Sequence, residues 1–564
     1  MNQFRPFLLI AWLACAALLY FEWNAPPPPA APVASASPAA SVPGAVPTID
    51  SAPAGTLPAS PAAPATGPTA PAAAVAPITV DTDVLHVEID PRGATLVDAE
   101  LLDYPLDKDA PERKVQLLDT APSHYSVAQS GLVSSAGGPT HETPMRPVGG
   151  RDAFRLADGA DTLEVPLEWH DPATGLSVRK TFVFTRDSYV VTLRQEIRND
   201  GTRPWHGSAY EQLQRVVPPA RSTTAAFTNP ESLSFIGPAW FDPREKFEKV
   251  QVGDLVDDGA QKRDGSGGWI AMLQHHFAIA WIPPKGEAQT FETMVLPDGG
   301  RYLVRAVGTP FEVAPGGTVV RESRLWIGPK LQERMEDVAE GLPLALDYGM
   351  LTFIAKPMFD WVLSPLHRLT GNWGWAIILT VLIIKLLLYP LSAKQYQSFA
   401  KMRAIQPRIE SLKERYGEDR QKFQMAMMEL YKKEKVNPAA GCLPILVTIP
   451  IFIALYWMLL ESVEMRQAPW IGWIQNLTAP DPYFILPVIN LVVMFLTQKM
   501  TPTPGMDPMQ KKIMTFMPLV FGVMMAFFPA GLVLYWCTNG LLGLLQQWVI
   551  QRRHGVGTAV AAAK

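Results

Sequence analysis

Cysteine is scarce in this chain: three of the 564 residues are cysteines, Cys15, Cys442 and Cys537, and all three lie in apolar runs. None falls between residues 78 and 341, so no disulfide framework holds that long polar region together. No Cys/His spacing resembles a zinc site. The P-loop lysine motif, the HExxH motif and the nucleophile elbow are also missing. We therefore expect no catalytic residue, no metal site and no cofactor, and we do not expect an enzyme.

The first part of the chain carries fewer basic than acidic residues. Residues 1–341 carry 28 Lys and Arg against 41 Asp and Glu, whereas residues 342–564 carry 21 against 12. A chain of this length is too long for one ordinary domain. An acidic part followed by a basic part indicates two compartments or two kinds of partner.

The N-terminus combines Arg5 with an uncharged run over residues 6–21. Such a segment is either a signal peptide or a membrane anchor. No small-x-small cleavage site follows it, and the residues before Cys15 match a lipoprotein signal poorly, so we predict an uncleaved transmembrane anchor over residues 1–22. Residues 23–77 are almost entirely Pro, Ala, Ser, Gly and Thr, a composition that buries too little apolar surface to fold. They are interpreted as a linker that lifts a domain away from the membrane.

Residues 78–341 show a period of two, in many short segments separated by Gly, Pro and Asn-Asp breaks. This pattern is typical of an antiparallel β-sandwich. His275 and His276 lie within it, but no recurring His/Asp/Glu constellation surrounds them, so we expect them to serve packing rather than catalysis.

The remaining chain is rich in long apolar runs. Residues 342–368 are too polar to span a bilayer and predict an amphipathic helix in the membrane interface. A bilayer core of ~30 Å needs about 20 apolar residues in a helix. Residues 369–391 fit one such helix, and residues 438–551 fit four, with a break at residues 528–531. Together with the N-terminal anchor, the chain is predicted to be an α-helical polytopic membrane protein with six transmembrane helices and an all-β sandwich domain.

The loop charges give these six helices an orientation. Residues 392–437 hold 11 Lys and Arg, and the 499–512 loop holds three, whereas the 461–482 loop holds one Arg against three acids. Cytoplasmic loops are the ones rich in Lys and Arg. Both termini, including the tail over residues 552–564, are therefore predicted to be cytoplasmic, and the β-sandwich is predicted to be periplasmic. The expected location is a bacterial inner membrane.

Residues 392–437 form two amphipathic stripes separated by Gly417, which predicts a cytoplasmic helical hairpin. Tyr396 and Phe399 open the first stripe. The outer faces are basic and include Lys432, Lys433 and Lys435. These faces are either simply solvated or attract anionic headgroups or ribosomal RNA.

Lys385 is the one charge between Arg368 and Lys394. An ionisable residue in a span costs roughly 2.5–3.5 kcal/mol even on the lenient insertion scale and is a functional hypothesis by default. A lysine near the end of a span also reaches the interface by extending its stem. From position alone, a functional charge and a lysine that only extends to the interface are equally well supported.

Several motifs in this half occur in one order: Gly-Asn-Trp-Gly-Trp at 371–375, Tyr-Pro-Leu at 389–391, Lys-Met-Arg at 401–403, Gln-Pro at 406–407, Glu-Lys-Val-Asn-Pro at 434–438, Gly-Cys at 441–442, Arg-Gln-Ala-Pro at 466–469, Gln-Lys-Met at 498–500, Ile-Met-Thr-Phe-Met-Pro at 513–518 and Pro-Ala-Gly-Leu-Val-Leu-Tyr-Trp at 529–536. In this order they resemble the YidC/Oxa/Albino insertase family. The Gly-Trp-Ile-Ala-Met-Leu-Gln-His run at 268–275 and Trp-Ile-Pro at 281–283 resemble the outer domain peculiar to Gram-negative members.

This resemblance implies an insertase and chaperone that inserts and helps fold inner-membrane proteins, alone or with the Sec translocon. It implies a groove open to cytoplasm and lipid, with Lys385 where the family has an arginine, and with Tyr535 and Trp536 in the groove. Thr380 and Asn539 are possible polar neighbours, although such residues more often bond helix to helix. Nascent membrane proteins, the Sec translocon, the ribosome and the lipid bilayer are the expected partners, and DNA is not.

Two other classes of function stay open at this point. A solute transporter would also use a buried cation, but it would show repeated halves, and we find no such repeat. A tethered glycan-binding or glycan-modifying enzyme would need a carboxylate pair in the β-domain.

Overall fold

The computed structural model describes residues 46–47, 76–218, 234–346, 348–416, 419–434, 443–500 and 508–553. The predicted anchor over residues 1–22 and nearly all of the linker lie outside these ranges, as do Gly417, Lys435 and the tail from residue 554.

Two sheets make up the first half of the described chain. The first has the strand order β14 (Gln261–Ser266), β17 (Ala288–Val295), β18 (Arg301–Gly308), β11 (Trp205–Val216), β5 (Ser126–Val133), β3 (Thr95–Asp107), β2 (Leu85–Asp90), β1 (Ile78–Asp81) and β7 (Ala153–Arg155), with β4 (Ala110–Leu118) beside β3 and β19 (Phe311–Val313) beside β11. The second has the order β13 (Lys246–Lys249), β12 (Gly237–Asp242), β15 (Trp269–Leu273), β16 (Phe277–Ile282), β20 (Thr318–Pro329), β10 (Val190–Asn199), β9 (Leu176–Thr185), β8 (Thr162–Asp171) and β6 (Arg146–Pro147). Short helical pieces at Val148–Gly150 and α1 (Val252–Asp257) interrupt them.

The two sheets pack face to face. Along β2, buried and half-buried residues alternate, as a strand with one covered face requires. The Trp281 indole on β16 donates to the Gln212 carbonyl on β11, and Lys180 Nζ on β9 donates to the Ser130 carbonyl on β5 at 2.8 Å. Both bonds join one sheet to the other. The predicted all-β domain is thus mostly sheet, although it also contains short helices.

The segment predicted as one interfacial helix is broken into several pieces. It follows α2 (Gln332–Val338) and contains 3₁₀ turns at Leu342–Ala345 and Gly349–Leu351, α3 (Thr352–Met358), a π-helical turn at Phe359–Leu363 and α4 (Ser364–Thr370). Pro357 lies within it, and a proline removes a helical hydrogen bond and crowds the preceding turn. Phe353, Trp361 and Leu369 are 72%, 79% and 80% exposed, so the segment presents large apolar side chains outward.

Seven helices follow in the described part of the chain: α5 (Trp373–Leu387), α6 (Tyr389–Tyr416), α7 (Arg420–Lys433), α8 (Leu443–Glu461), α9 (Ile485–Met500), α10 (Pro508–Met525) and α11 (Ala530–Arg553). A 3₁₀ turn at Val463–Met465 lies in the loop between α8 and α9. Helix α11 contacts α5, α6, α8 and α9, and α6 packs on α7 through Met402, Ile405, Ile409 and Tyr431.

The predicted span over residues 369–391 is shorter than expected, because α5 ends at Leu387 and the chain bends by 69° into α6. Residues 389–391 therefore begin the first helix of the hairpin. No single helix in the described ranges has both the length and the apolar composition to cross a membrane, whereas α5 and the start of α6 meet that test as a bent pair.

Candidate functional site

Helix α5 is packed at its beginning and open at its end. Trp373, Ala376, Ile377, Thr380 and Val381 are buried. Over the last two turns, by contrast, Leu382, Leu386 and Leu387 are 36%, 63% and 74% exposed. The helix is almost uniformly apolar, so this difference comes from its neighbours and not from its own sequence.

Helix α11 repeats this pattern. Its first turns, from Ala530 to Tyr535, are buried, whereas Leu541, Leu545 and Trp548 are about half exposed. Since α5 and α11 pack side by side, the pair has a closed half, where both helices begin and their side chains are buried, and an open half further along, where large apolar side chains are exposed.

The loop between α8 and α9, residues 462–484, holds the closed end together. The Asn372 side-chain amide, at the start of α5, donates to the carbonyls of Pro469 and Trp470 at 3.2 and 3.0 Å. At the start of α11, Gly531 N donates to the Leu477 carbonyl at 2.8 Å. Gly374 allows the closest approach, because a β-carbon there would overlap the Trp470 ring at 2.1 Å.

Lys385 lies in the open half of α5 and is half-buried. A β-carbon built on Gly543 of α11 would lie 3.6 Å from its Nζ and 3.4 Å from the Tyr396 hydroxyl. The Gln546 amide donates to the Lys385 carbonyl at 3.4 Å and ties the two helices at this level. Among the described residues, the ammonium forms no ion pair and donates no hydrogen bond. The site thus offers one positive charge without a counter-ion from the described chain.

The other predicted groove residues lie elsewhere on the same helices. Thr380 is buried in the closed half, and its hydroxyl has no hydrogen-bond partner among the described residues. Five residues along a helix place Lys385 roughly 7.5 Å further on and about 140° around the axis. Tyr535 is buried in the closed half too, and Trp536 and Asn539 are half-buried. Thr380 and Tyr535 therefore belong to the closed half, whereas Trp536 and Asn539 lie between the closed half and the turn of α11 that contains Gly543.

Sequence reasoning missed the residues that do surround Lys385. The sequence pattern places Tyr396 in the apolar stripe of the hairpin, whereas the bend after α5 turns its hydroxyl toward Gly543. The signal that would have found it is the spacing of 11 residues from Lys385 across Pro390, which marks a change of helix direction.

The basic residues predicted on the hairpin are at the end of α7. Lys432 and Lys433 are exposed there, and Lys435 lies outside the described residues. Arg408 on α6 forms an ion pair with Glu434 that closes the hairpin at this end. Lys432 and Lys433 are therefore available at the surface of the helix pair.

A second polar centre, which we call the junction, joins the β-domain to the end of α8. Glu461 is 1% exposed; Lys330 Nζ lies 3.8 Å from one of its carboxylate oxygens, and Ser234 Oγ donates to the other at 2.5 Å. On the α8–α9 loop, Gln467 donates to the Pro105 carbonyl at 3.0 Å, and Lys108 donates to the Gln475 carbonyl at 2.8 Å. The domain is thus bonded directly to the closed end of the helical part.

His275 and His276 belong to this junction. The His275 Nε2–H donates to the Leu460 carbonyl at 2.9 Å, and the two rings stack 3.7 Å apart. Burial lowers the pKa of His275 to about 4, so the ring is neutral at neutral pH. His275 thus bonds the domain to the end of α8, and His276 is buried beside it.

Comparison with known proteins covers both halves of the chain. A family model described as 60Kd inner membrane protein matches residues 365–556, and another described as YidC periplasmic domain matches residues 77–361. A protein named membrane protein insertase YidC from Stenotrophomonas maltophilia (strain R551-3) is 50% identical over 575 residues, which cover 98% of this chain and 97% of that protein. Its namesake from Xanthomonas euvesicatoria pv. vesicatoria (strain 85-10) is 49% identical over 581 residues, with 98% of each chain covered.

A solved structure described as an active YidC insertase with the first transmembrane domain resolved is 20% identical, with a TM-score of 0.36 over 83% of this chain and 91% of that one. Identity near one half along essentially the whole length, together with matches to both the inner-membrane and the periplasmic family models, identifies the chain as a membrane protein insertase of the YidC family that carries the periplasmic domain.

Proposed function

We propose that this insertase moves the polar flanks of its clients through the space between the open halves of α5 and α11, which we call the groove, with Lys385 as its cation. The observation that carries the proposal is a positive charge in the open half of a helix pair, with no counter-ion among the described residues. A charge kept only for folding would be expected to have an acidic partner.

The energetics explain why such a groove accelerates insertion. An apolar residue at the helix centre gains a few tenths of a kcal/mol, whereas one charge at the centre costs ~2.5–3.5 kcal/mol on the insertion scale. The insertion rate of a short client is therefore limited by the transfer of its polar flank. A wet groove that reaches halfway across shortens the dry path, and the ammonium attracts acidic flanks transiently. No energy source beyond the client's own partitioning is needed.

The proposal includes the topology with six spans and both termini in the cytoplasm. The distribution of Lys and Arg among the loops supports this orientation. The exposed Phe353, Trp361 and Leu369 support a position in the interface for the segment before α5, because exposed aromatic and aliphatic side chains favour the boundary between headgroups and acyl chains.

The partners follow from the same arrangement. Nascent membrane proteins enter from the cytoplasm, where the exposed Lys432 and Lys433 favour contact with ribosomal RNA or anionic headgroups. Action beside the Sec translocon is part of the proposal and rests on the family resemblance.

Reconstitution of the purified protein into lipid vesicles tests this function. A client with one or two spans is added, and the protease-protected fraction is measured. We expect insertion clearly above that of protein-free vesicles. Equal protected fractions in the two kinds of vesicle would contradict the proposal.

A further inference from the structure

Three side-chain amides tie neighbouring helices together at the level of the open half, and we call them the glutamine belt: Gln498, Gln546 and Gln547. Gln547 of α11 donates to the Met500 carbonyl of α9 at 3.0 Å. The preceding residue, Gln546, donates to the Lys385 carbonyl of α5 at 3.4 Å. Gln498 of α9 donates to the Met514 carbonyl of α10. The belt therefore connects four helices in the order α10, α9, α11 and α5.

Each of the three carbonyls that accept these bonds lacks a donor within its own helix. Met500 is the last residue of α9, and Lys385 is one of the last four residues of α5, whose carbonyls have no N–H four residues further along the same helix. The Met514 carbonyl would bond to residue 518, which is a proline without an N–H. A glutamine amide that reaches across thus replaces the missing donor and fixes the distance between two helices at the same time.

The side chains at this level are less packed than those at the closed end. One leucine or isoleucine on each of the four helices is about half exposed or more: Leu386, Leu496, Ile513 and Leu545. Gln547, by contrast, is buried. A hydrogen bond between two helices holds them in one relative position, and amide side chains supply such bonds in membrane proteins. The belt therefore acts where apolar packing contributes least to the helix spacing.

We propose that the glutamine belt keeps α5 and α9 at fixed distances from α11, and that the α5–α11 distance sets the width of the groove. This proposal rests on the proposed function of the groove. The three glutamines are positioning residues, because their amides bond to the backbone and not to the client. A flank with small side chains enters at the spacing of this structure, whereas a bulky flank enters only when α5 separates further from α11. The belt thus selects clients by the size of the flank, independently of its charge.

Pulsed electron paramagnetic resonance measures the two helix distances in the full-length protein in lipid nanodiscs. After replacement of the native cysteines by alanine, spin labels at the exposed positions Leu387 and Leu545 report the α5–α11 distance, and labels at Leu496 and Leu545 report the α9–α11 distance. We expect Gln546→Met to lengthen only the first distance and Gln547→Met only the second, each by about 1–2 Å, the size of helix shifts at packed interfaces. Methionine is unbranched like glutamine and has a similar helix propensity.

Gln421→Met, the same substitution on the exposed face of α7, is the control and leaves both distances unchanged. Two unchanged distances in both belt variants would overturn the proposal and leave the groove function standing. Equal lengthening of both distances in each variant would show a general loosening of the helices, and it would overturn the proposal as well.

Insertion into vesicles tests the selection by size. One client is prepared with an uncharged flank of serines and with an uncharged flank of glutamines, and the ratio of the two insertion rates is measured. We expect Gln546→Met to lower the preference for the serine flank about fivefold, the factor that corresponds to one net hydrogen bond. A purely structural role would slow both clients equally, so an unchanged ratio would overturn the selection by size. Failure of the unaltered protein to insert either client would overturn the proposed function instead.

Discussion

At the scale of single residues, the charge of Lys385 matters more than its shape if it acts as a cation in a wet groove. Lys385→Arg is then expected to insert clients normally. Lys385→Ala is expected to slow acidic-flank clients about fivefold, because a partly solvated ion pair is worth ~1 kcal/mol, and Lys385→Glu is expected to be slower still. The measurement is the rate of insertion of one client in acidic-flank and neutral-flank versions. Equal rates for both versions in the Ala and Glu variants would reduce Lys385 to an interfacial anchor.

Glu464, next to the junction, makes the stability of the folded protein depend on pH. Burial, reinforced by the charge of Glu333, raises the pKa of its carboxyl to about 7. One carboxylate oxygen is buried and has no hydrogen-bond partner among the described residues. The unfolded chain releases this proton at lower pH than the folded one, so the folded state loses stability as pH rises from the unfolded pKa through 7.

Glu464→Gln is therefore expected to raise the melting temperature at pH 8 by about 2–4 °C and to leave it unchanged at pH 4. Thermal unfolding of the purified protein in lipid nanodiscs at the two pH values provides the measurement. Asp337→Asn, an exposed carboxylate on α2, serves as the control. An equal change at both pH values would show that the amide acts through packing and not through ionisation.

At the scale of elements, the sequence predicts whether a segment is a helix or a strand better than it predicts what packs around that segment. Alternation in segments such as β2 and β10 predicts strands, because one covered face imposes a period of two. The open half of α5 leaves no such signature, since Leu386 and Leu387 are as apolar as the buried Ile377. Lys385 was found as the only charge in its run, whereas Tyr396 and Gly543 became recognisable only once the bend after α5 had brought three helices together.

The basic residues of the α6–α7 hairpin are expected to contribute to the binding of ribosomes. Reversal of Lys432, Lys433 and Lys435 to Glu is expected to weaken co-sedimentation with translating ribosomes severalfold at low salt, and the difference is expected to shrink as salt screens exposed charges. Reversal of Lys499, Lys511 and Lys512, which lie in another predicted cytoplasmic loop, changes the net charge equally and is the control. Unchanged co-sedimentation of the first variant at low salt would exclude this role of the hairpin.

At the scale of the whole molecule, the domain and the helical part are expected to divide the work. Removal of most of residues 78–330, with the chain from Leu342 retained, is expected to leave insertion largely intact, because the proposed groove is formed by α5 and α11 alone. Glu461 then becomes solvated and no longer needs Lys330. Vesicle insertion and the amount of protein in the membrane are measured together. Loss of insertion in a variant that still accumulates would contradict a mechanism confined to the helices.

Lys330→Met in the full-length chain distinguishes the loss of the ammonium from the loss of the whole domain. It keeps the domain in place but leaves Glu461 buried without the ammonium, which typically costs ~3–5 kcal/mol. We therefore expect this single change to destabilise the protein more than the loss of the whole domain does. Thermal unfolding of the two variants in nanodiscs compares them directly.

The closed end of the helix pair is also expected to limit the length of the segment that a client exports. The starts of α5 and α11 are held against the α8–α9 loop by Asn372, Gly374 and Gly531, and the β-domain is hydrogen-bonded to the same loop. A segment in the proposed groove would meet packed side chains ahead and lipid at its side, so we expect its helix to leave laterally and only a short stretch to cross the closed end. Each added polar residue in that stretch increases the free-energy cost of crossing the closed end. Proteins with long exported loops are therefore expected to need a channel that is open across the whole membrane.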